Sequence, residues 1–429
     1  MRPPLNSLEA WLEWQQSLHF SEIDMGLARM QLLASRLDIL RFPFPIISVA
    51  GTNGKGSSVS MLDAIYQAAG YKTGAYTSPF LYHYNERITI SGEPCSDAEI
   101  IQVFEQIEDA REDTTLTYFE FSTLAALLLY KQKGVDIALL EVGMGGRLDA
   151  VNTWDADVAL ISSIGIDHVK WLGDNREVIG HEKAGIMRTG RAVICGDPNP
   201  PESIKKHALA IDAKLQQTGM DFSWQHQNDT WQWSNDRRSY ERLPKPNLQG
   251  GYQYQNAANV LAVIDALSEQ LPVSEEAIHQ GLTAVKLQGR LQIIQSSPQI
   301  VLDVAHNAHA ATELAKWLES QPCRGRTLAF FSMLSDKNIQ DVLSHLHTFV
   351  DEWIIFPLED ERGFTKSELE RAVAQAGNLQ VCTVHESIKS AWEACQSTLH
   401  EDDQVIVFGS FSVLAEFKGL DGTFSENMY

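Results

Sequence analysis

The sequence predicts an α/β protein of two domains, each built on a largely parallel sheet wrapped by helices. Three observations lead there. At 429 residues the chain is too long for one ordinary hydrophobic core. Short apolar runs that suit buried strands alternate with stretches of helical periodicity. The residues that follow those runs are glycine-rich, polar or charged, as at the carboxyl edge of a parallel sheet, where such folds hold their ligands.

The elements follow in order. Leu8, Trp11, Leu12, Trp14 and Leu18, then Met30, Leu33, Leu37 and Leu40, recur at helical spacing. They predict helix across residues 8–40, broken at the polar stretch 21–26 and ended by Pro43 and Pro45. Residues 46–50 read as a buried strand, followed by the loop Gly51-Thr52-Asn53-Gly54-Lys55-Gly56-Ser57 and a helix over 57–69 that stops at Gly70. A second strand spans 72–77 and ends at Ser78-Pro79; helices follow over 97–111 and 121–133, the latter closed by Gly134. The run 135–142 is a third strand, ending in Glu141 and Gly143-Met144-Gly145-Gly146-Arg147. Residues 157–164 repeat the design with Asp167-His168 beyond, and 192–195 add another strand.

Residues 218–245, rich in Trp, Gln, Asn and Asp, predict a β-hairpin or meander. Helices over 256–267 and 274–284 and the run Leu287-Gln288-Gly289-Arg290 close the first domain. A second doubly wound pattern begins at Gln299, with strands at 300–304, 327–331, 353–357, 380–384 and 404–408. The expectation is a phosphate-loop-type parallel-sheet ATPase domain over residues 1–290, followed by a smaller Rossmann-like α/β domain over 291–429.

Composition narrows the partners. A formal net charge of −22 argues against an extended nucleic-acid surface, which needs clustered Lys and Arg. No apolar run approaches the roughly 20 residues that span a bilayer, and the first residues lack the apolar core of a signal peptide. The five cysteines are scattered and form no CxxC pair, which reads as reduced thiols in a cytoplasmic protein.

The glycine loop departs from G-x-x-x-x-G-K-[ST]: Val49 stands at the first glycine, and Gly56 takes the place of the hydroxyl residue after the lysine. Its physics is nonetheless that of an anion nest. Glycines let the backbone approach phosphate, the next helix offers its N-terminus, and Lys55 can reach the outer phosphates. Where that hydroxyl exists it binds Mg²⁺. Ser57 comes one position late, so a metal must look to other strand ends, where Ser78, Glu141 and His168 stand. His168 suits either a satisfied core position or a ligand. The segment His181-Glu182-Lys183-Ala184-Gly185-Ile186 reads from composition as a mixed-charge surface helix. Asp303-Val304-Ala305-His306-Asn307 follows an apolar strand; Asp303 suits a ribose or a cation, or it or Asn307 caps a helix.

These motifs together resemble the folylpolyglutamate synthase family and, within it, the bacterial bifunctional branch that also makes dihydrofolate. The resemblance runs nearly end to end. It rests on the glycine loop, Thr77-Ser78-Pro79, Leu116-Thr117-Tyr118-Phe119-Glu120, Glu141 to Ala150, Asp167-His168, Glu182-Lys183-Ala184-Gly185-Ile186 and Asp303 to Asn307. The related Mur ligases share Gly-Thr-Asn-Gly-Lys but carry a hydroxyl residue where this chain has Gly56.

The resemblance implies an amide ligase. ATP would phosphorylate a pterin-side carboxylate, and the amine of L-glutamate would attack the acyl phosphate. Substrates would be dihydropteroate and folates, with ATP and Mg²⁺ as cofactors, a monovalent cation such as K⁺ as a further candidate, and a monomer as the working form. By the same resemblance, Gly54, Lys55, Gly56, Ser57, Asn256, Arg290 and Asp303 would bind ATP, and Ser78, Glu141 and His168 would ligate Mg²⁺. Lys183 would be carboxylated, and Lys55, Lys183 and His168 would carry the catalysis. Asp24, Met25, Gly26, Thr117, Tyr118, Phe119, Glu120, Leu148, Asp149 and Ala150 would hold dihydropteroate. Two positions depart from the family pattern: Phe80 replaces a histidine and Ala308 a proline. The alternatives are a synthase that only extends folates and a Mur-type amino-acid ligase.

Overall fold

Runs such as Ile46–Ala50 and Ile137–Glu141, apolar but for one residue each, are satisfied only in a sheet covered on both faces, and both are buried along their whole length. The computed structural model describes residues 6–376, 379 and 381–420. Its first unit comprises the chain up to Asn247 together with Tyr254–Val285. The main sheet contains β1 (Ile46–Ala50), β2 (Thr73–Tyr76), β3 (Ile88–Ile90), β4 (Glu93–Pro94), β5 (Ile137–Glu141), β6 (Val158–Ile161), β7 (Ala192–Cys195) and β8 (Lys214–Gln217). Their order is β4-β3-β2-β5-β1-β6-β7-β8. From β2 to β8 the pairing is parallel; β3 and β4 extend one edge antiparallel. The crossovers set the end of β1 between the ends of β5 and β6, with β2 beyond β5, so the glycine loop is flanked by the other candidate strand ends.

The helix Tyr118–Lys133 shows how sequence fixes an element. Thr117 accepts from Glu120 N while Glu120 accepts from Thr117 N, a reciprocal cap, and Gly134 ends the helix in the left-handed conformation. From Glu120 to Tyr130 every residue is buried. A helix apolar all round needs cover all round, and helices Leu8–Gln16, Ala28–Arg36 and Asp97–Arg111 pack against this one.

The Trp-rich stretch is the expected meander, β9 (Phe222–Gln227), β10 (Thr230–Asn235) and β11 (Ser239–Pro244), in the order β11-β10-β9. It buries Trp231 and Trp233, whose indole N–H groups donate to Pro244 O at 2.8 Å and Ala258 O at 3.0 Å.

The second unit comprises Leu248–Gln253 and the chain from Lys286 onward. Its sheet holds β12 (Gln292–Ser296), β13 (Gln299–Asp303), β14 (Thr327–Phe331), β15 (Glu352–Ile355), β16 (Val381–Val384) and β17 (Gln404–Phe408) in the order β12-β13-β17-β14-β15-β16. All pairs but β12–β13 are parallel.

The structure corrects several boundaries. The helix after the glycine loop begins at Lys55 rather than Ser57. Residues 162–164 are not strand but loop. Strands β3, β4, β8 and β12 and the helix Glu202–Ala210 are additions to the expected list, and Gln380, placed in the fourth strand of the second domain, lies outside the described residues.

Gly281 is a close-contact glycine. A Cβ there would stand 2.5 Å from the Cα of Ile65 in the helix Lys55–Ala68. Helix propensity alone favours Ala by about 1 kcal/mol, but overpacking against backbone costs about 1–3 kcal/mol. The clash should win: Gly281→Ala is expected to lower stability in urea titration, and an unchanged or raised midpoint would show that the two helices can part without cost.

Candidate active site

The glycine loop is held in shape before any ligand arrives. Gly54 has φ 86°, a conformation that favours glycine, and a Cβ on it would stand 2.5 Å from Asn256 Oδ1, so that side chain would have to move. Asn53 O accepts from Ser162 Oγ at 2.7 Å and Ser163 Oγ at 3.0 Å, while Asn53 N donates to Ser163 Oγ at 3.1 Å. Thr52 N donates to Ser163 O at 2.8 Å, and Thr52 Oγ1 donates to Gly165 O at 3.0 Å. The segment after β6 is therefore a clamp on the loop. Its own brace is Asp197, which accepts from Ile164 N at 2.8 Å and from Arg176 at 2.9 Å. Lys55 opens the helix Lys55–Ala68, and its ammonium donates back to Gly51 O at 3.2 Å and Thr52 O at 3.4 Å. A lysine over a loop at a helix N-terminus is an anion site by charge and by the first-turn amides that lie outside the helical ladder.

The strand-end residues meet in part. Ser78 N donates to Glu141 Oε2 at 3.2 Å, and Glu141 is buried. His168 has φ 50°, and its amide donates to Asp167 Oδ1 at 2.7 Å. Among the described residues no group of three or more His, Cys, Asp or Glu side chains converges as a metal cage. One carboxylate, a hydroxyl and a histidine suit instead a divalent ion that arrives on nucleotide phosphates, since Mg²⁺ takes few protein ligands and keeps phosphate and water oxygens.

Lys183 corrects the surface-helix expectation. Its helix, Arg176–Ala184, turns Ile179, Gly180, Lys183 and Ala184 inward, and Lys183 is 3% exposed. Burial, and then the charge of Lys55, push its amine down to about 7; Asp167 and Asp149 act the other way. Holding an amine near 7 instead of 10.5 penalises its charged form by on the order of 5 kcal/mol. Asp149 is the acidic counterpart. Burial raises its carboxyl to about 6, although Met144 N at 2.9 Å and Val151 N at 3.0 Å donate to it. Small residues bring these groups together. A Cβ on Gly146 would stand 2.8 Å from Glu182 O, and Arg147 N donates to that oxygen at 2.8 Å.

The expected acceptor-side residues form two groups. Gly143 lies against Phe119, where a Cβ would come 2.6 Å from Cζ, so residues 117–120 and the loop bearing Leu148, Asp149 and Ala150 are neighbours. Asp24 is tied to the first of these by a residue the sequence did not single out. Arg29 donates to Asp24 Oδ2 at 2.5 Å and Asp24 O at 3.2 Å, and also to Glu120 Oε1 at 2.9 Å and Oε2 at 3.4 Å. Met25 and Gly26 follow, half-buried. Helical periodicity could not reveal Arg29, because its partners lie outside its own helix. Ser162 and Ser163 fall inside the run expected as strand, which hides their hydroxyls as loop groups; β6 ends at Ile161 and frees them for the loop.

In the second unit Asp303 ends β13 and is buried, which raises its carboxyl; Arg290 and two backbone amides, Leu291 N at 2.9 Å and Ala305 N at 2.7 Å, oppose the rise. Arg290 lies over the Phe411 ring at 5.4 Å. Asn307 caps the helix Ala308–Ser320 by accepting from Ala310 N at 2.9 Å. Ala308 is thus the first helical residue, a place where proline fits but is not needed.

Residues 49–264 match the Mur ligase middle domain family, and residues 289–411 match the Mur ligase glutamate ligase domain. The dihydrofolate synthase/folylpolyglutamate synthase of Escherichia coli (strain K12) is 42% identical over 409 residues, covering 95% of this chain and 94% of that protein. Among solved structures, Escherichia coli FolC in complex with DHPP and ADP is similar with a TM-score of 0.92 and 41% identity, over 98% of this chain and 99% of that one. A bifunctional folylpolyglutamate synthase/dihydrofolate synthase from Yersinia pestis complexed with AMPPNP and Mn ion gives a TM-score of 0.89 and 43% identity, over 98% and 99%.

Removing Arg29 would leave Glu120, 4% exposed in its side chain, without its charged partner. Losing one member of a buried pair costs about 3–5 kcal/mol, discounted here because Arg29 itself is a quarter exposed. Arg29→Met should therefore lower stability by about 1–3 kcal/mol and speed amide hydrogen exchange at residues 24–26 and 117–120 together. Unchanged protection in either segment would show that Arg29 does not tie the two.

Proposed function

The chain belongs to the dihydrofolate synthase/folylpolyglutamate synthase family and is an ATP-dependent acid–amino-acid ligase; we propose that it joins L-glutamate to dihydropteroate, forming dihydrofolate, and then extends reduced folates. The observation that carries the reading is Lys183, a buried amine held near neutrality beside Lys55. A nucleotide switch has no use for it. A ligase that needs an extra anion at its phosphate site does, because only an uncharged amine adds CO₂. The amine nitrogen bonds to the CO₂ carbon, a proton leaves, and a cationic side chain becomes a carbamate anion.

A carboxylate is a poor electrophile until one oxygen is made a leaving group. In the proposed sequence an acceptor carboxylate oxygen attacks the γ-phosphorus of ATP and ADP departs. The amine of glutamate then attacks the acyl carbon, phosphate leaves and the amine proton is lost. Gly54, Lys55, Gly56 and Ser57 cradle the phosphates, with Asn256 beside Gly54, and Arg290 and Asp303 are further nucleotide residues. Lys55 neutralises charge on the transferring group. Ser78, Glu141 and His168 would hold Mg²⁺ and the Lys183 carbamate a second cation; the metal supplies Lewis-acid charge when bound. Asp24 to Gly26, Thr117 to Glu120 and Leu148 to Ala150 would hold dihydropteroate.

We assign residues 1–290 to ATP and pterin binding and 291–429 to the glutamate-ligase domain, and take a cytoplasmic monomer as the working form, with K⁺ as an activator. Among the described residues no helix is long and apolar enough to cross a membrane.

Glutamate incorporation measured side by side with dihydropteroate and tetrahydrofolate tests the reading. Both should be used, and Lys55→Ala should abolish both; turnover of tetrahydrofolate alone would reduce the protein to a folate-extending synthase.

Lys183 gives a separate test. Its depressed pKa means the folded state holds fewer protons than the unfolded between pH 7 and 10.5, so its contribution to stability rises with pH across that window. In CO₂-free buffer at pH 7, Lys183→Met should be more stable than the parent by about 2–5 kcal/mol, with the gap closing toward pH 10, yet be inactive. A less stable variant, or an active one, would remove Lys183 from the chemistry.

A further inference from the structure

Arg87 stands just before β3, and its carbonyl accepts from Thr77 N at 3.0 Å, which sets it beside the residue that leads into Ser78. Its side chain enters an aromatic box. The guanidinium carbon lies 5.3 Å from the Phe80 ring centroid, 5.8 Å from that of Tyr84 and 5.4 Å from that of Tyr118. Arg87 is 7% exposed, its Nε and Nη1 are buried without a hydrogen-bond partner, and among the described residues no carboxylate pairs with it. Ring faces attract the cation but offer no acceptor to its N–H groups. A buried guanidinium lacking its anion is a group that burial penalises.

The position says what the anion is. On one side are Thr77 and Ser78, the latter beside Glu141. On the other are Tyr118 and Phe119, and Phe119 packs on Gly143. Phe80, Tyr118 and Phe119 are half-buried, so each of these rings keeps a face or edge open to solvent. An aryl acid with its rings against Tyr118 and Phe119 and its acid group turned toward the phosphate loop passes Arg87. We infer that Arg87 binds the carboxylate of the acceptor substrate, fixing one oxygen by its planar fork and leaving the other to attack ATP. This rests on the ligase reading above. It also gives Phe80 a role: as a wall of the box, a ring here helps hold the guanidinium flat.

The test compares binding of 7,8-dihydropteroate with that of its neutral primary carboxamide, by titration calorimetry in the presence of ADP. Wild type should bind the acid 30- to 100-fold more tightly than the carboxamide. Arg87→Met should lose that preference while melting at or above the wild-type temperature and keeping its KM for ATP within about two-fold; Arg87→Lys should recover part of it. Wild type that binds acid and carboxamide equally, or an Arg87→Met protein that still prefers the acid, overturns the inference. The wild-type comparison needs no variant to fold. Absence of glutamate incorporation with any acceptor overturns the ligase reading and this inference with it, whereas turnover without acid preference overturns this inference alone.

Discussion

The grip of Ser162 and Ser163 on Asn53 is the constraint on which the site depends. A glycine-rich loop has many conformations and would lose most of that freedom on binding phosphate. Here the entropy is lost at folding instead, because hydroxyls from beyond β6 hold both polar groups of the Asn53 backbone. The parallel order makes this possible, since β6 is the immediate neighbour of β1. Asp197, at the end of β7, then braces the clamp in turn. The sheet thus delivers successive loops to one edge, each supporting the next.

Around that fixed loop the protein gathers groups in unfavourable protonation environments. Lys183 is held near 7 and Asp149 near 6, each displaced toward neutrality chiefly by burial. A fold selected only for stability would fill such places with Met or Leu. Their retention at the carboxyl edge, in the field of Lys55, is the pattern of a site that keeps reactive groups poised.

The sequence made the buried strands legible, because continuous apolar runs such as Thr327–Phe331 and Gln404–Phe408 have no other stable placement. It also showed the helix Asp97–Arg111, which the fold caps with Ser96 and Glu99. It hid β4, β8 and β12, since strands at a sheet's edge are short or polar and carry little periodic signal. Lys55, Ser78 and Glu141 were readable from their places after apolar runs. Lys183 was not, because His181 and Glu182 beside it make the segment look solvated; its burial follows from Gly146 and Gly185, which let another loop lie on the helix. Arg29 and Arg87 were invisible for a related reason: what matters about each is what surrounds it in space.

The clamp has a consequence for how the protein comes into being. Asn53 and Ser163 are separated by 110 positions, and β1 has no sheet neighbour until β5 and β6 exist. A nascent chain therefore exposes its nucleotide loop long before it can shape it, and the closure of so long a segment must precede any reward from these contacts. Affinity for nucleotide is a late acquisition of the folding chain, so the loop cannot sequester ATP in a half-made protein.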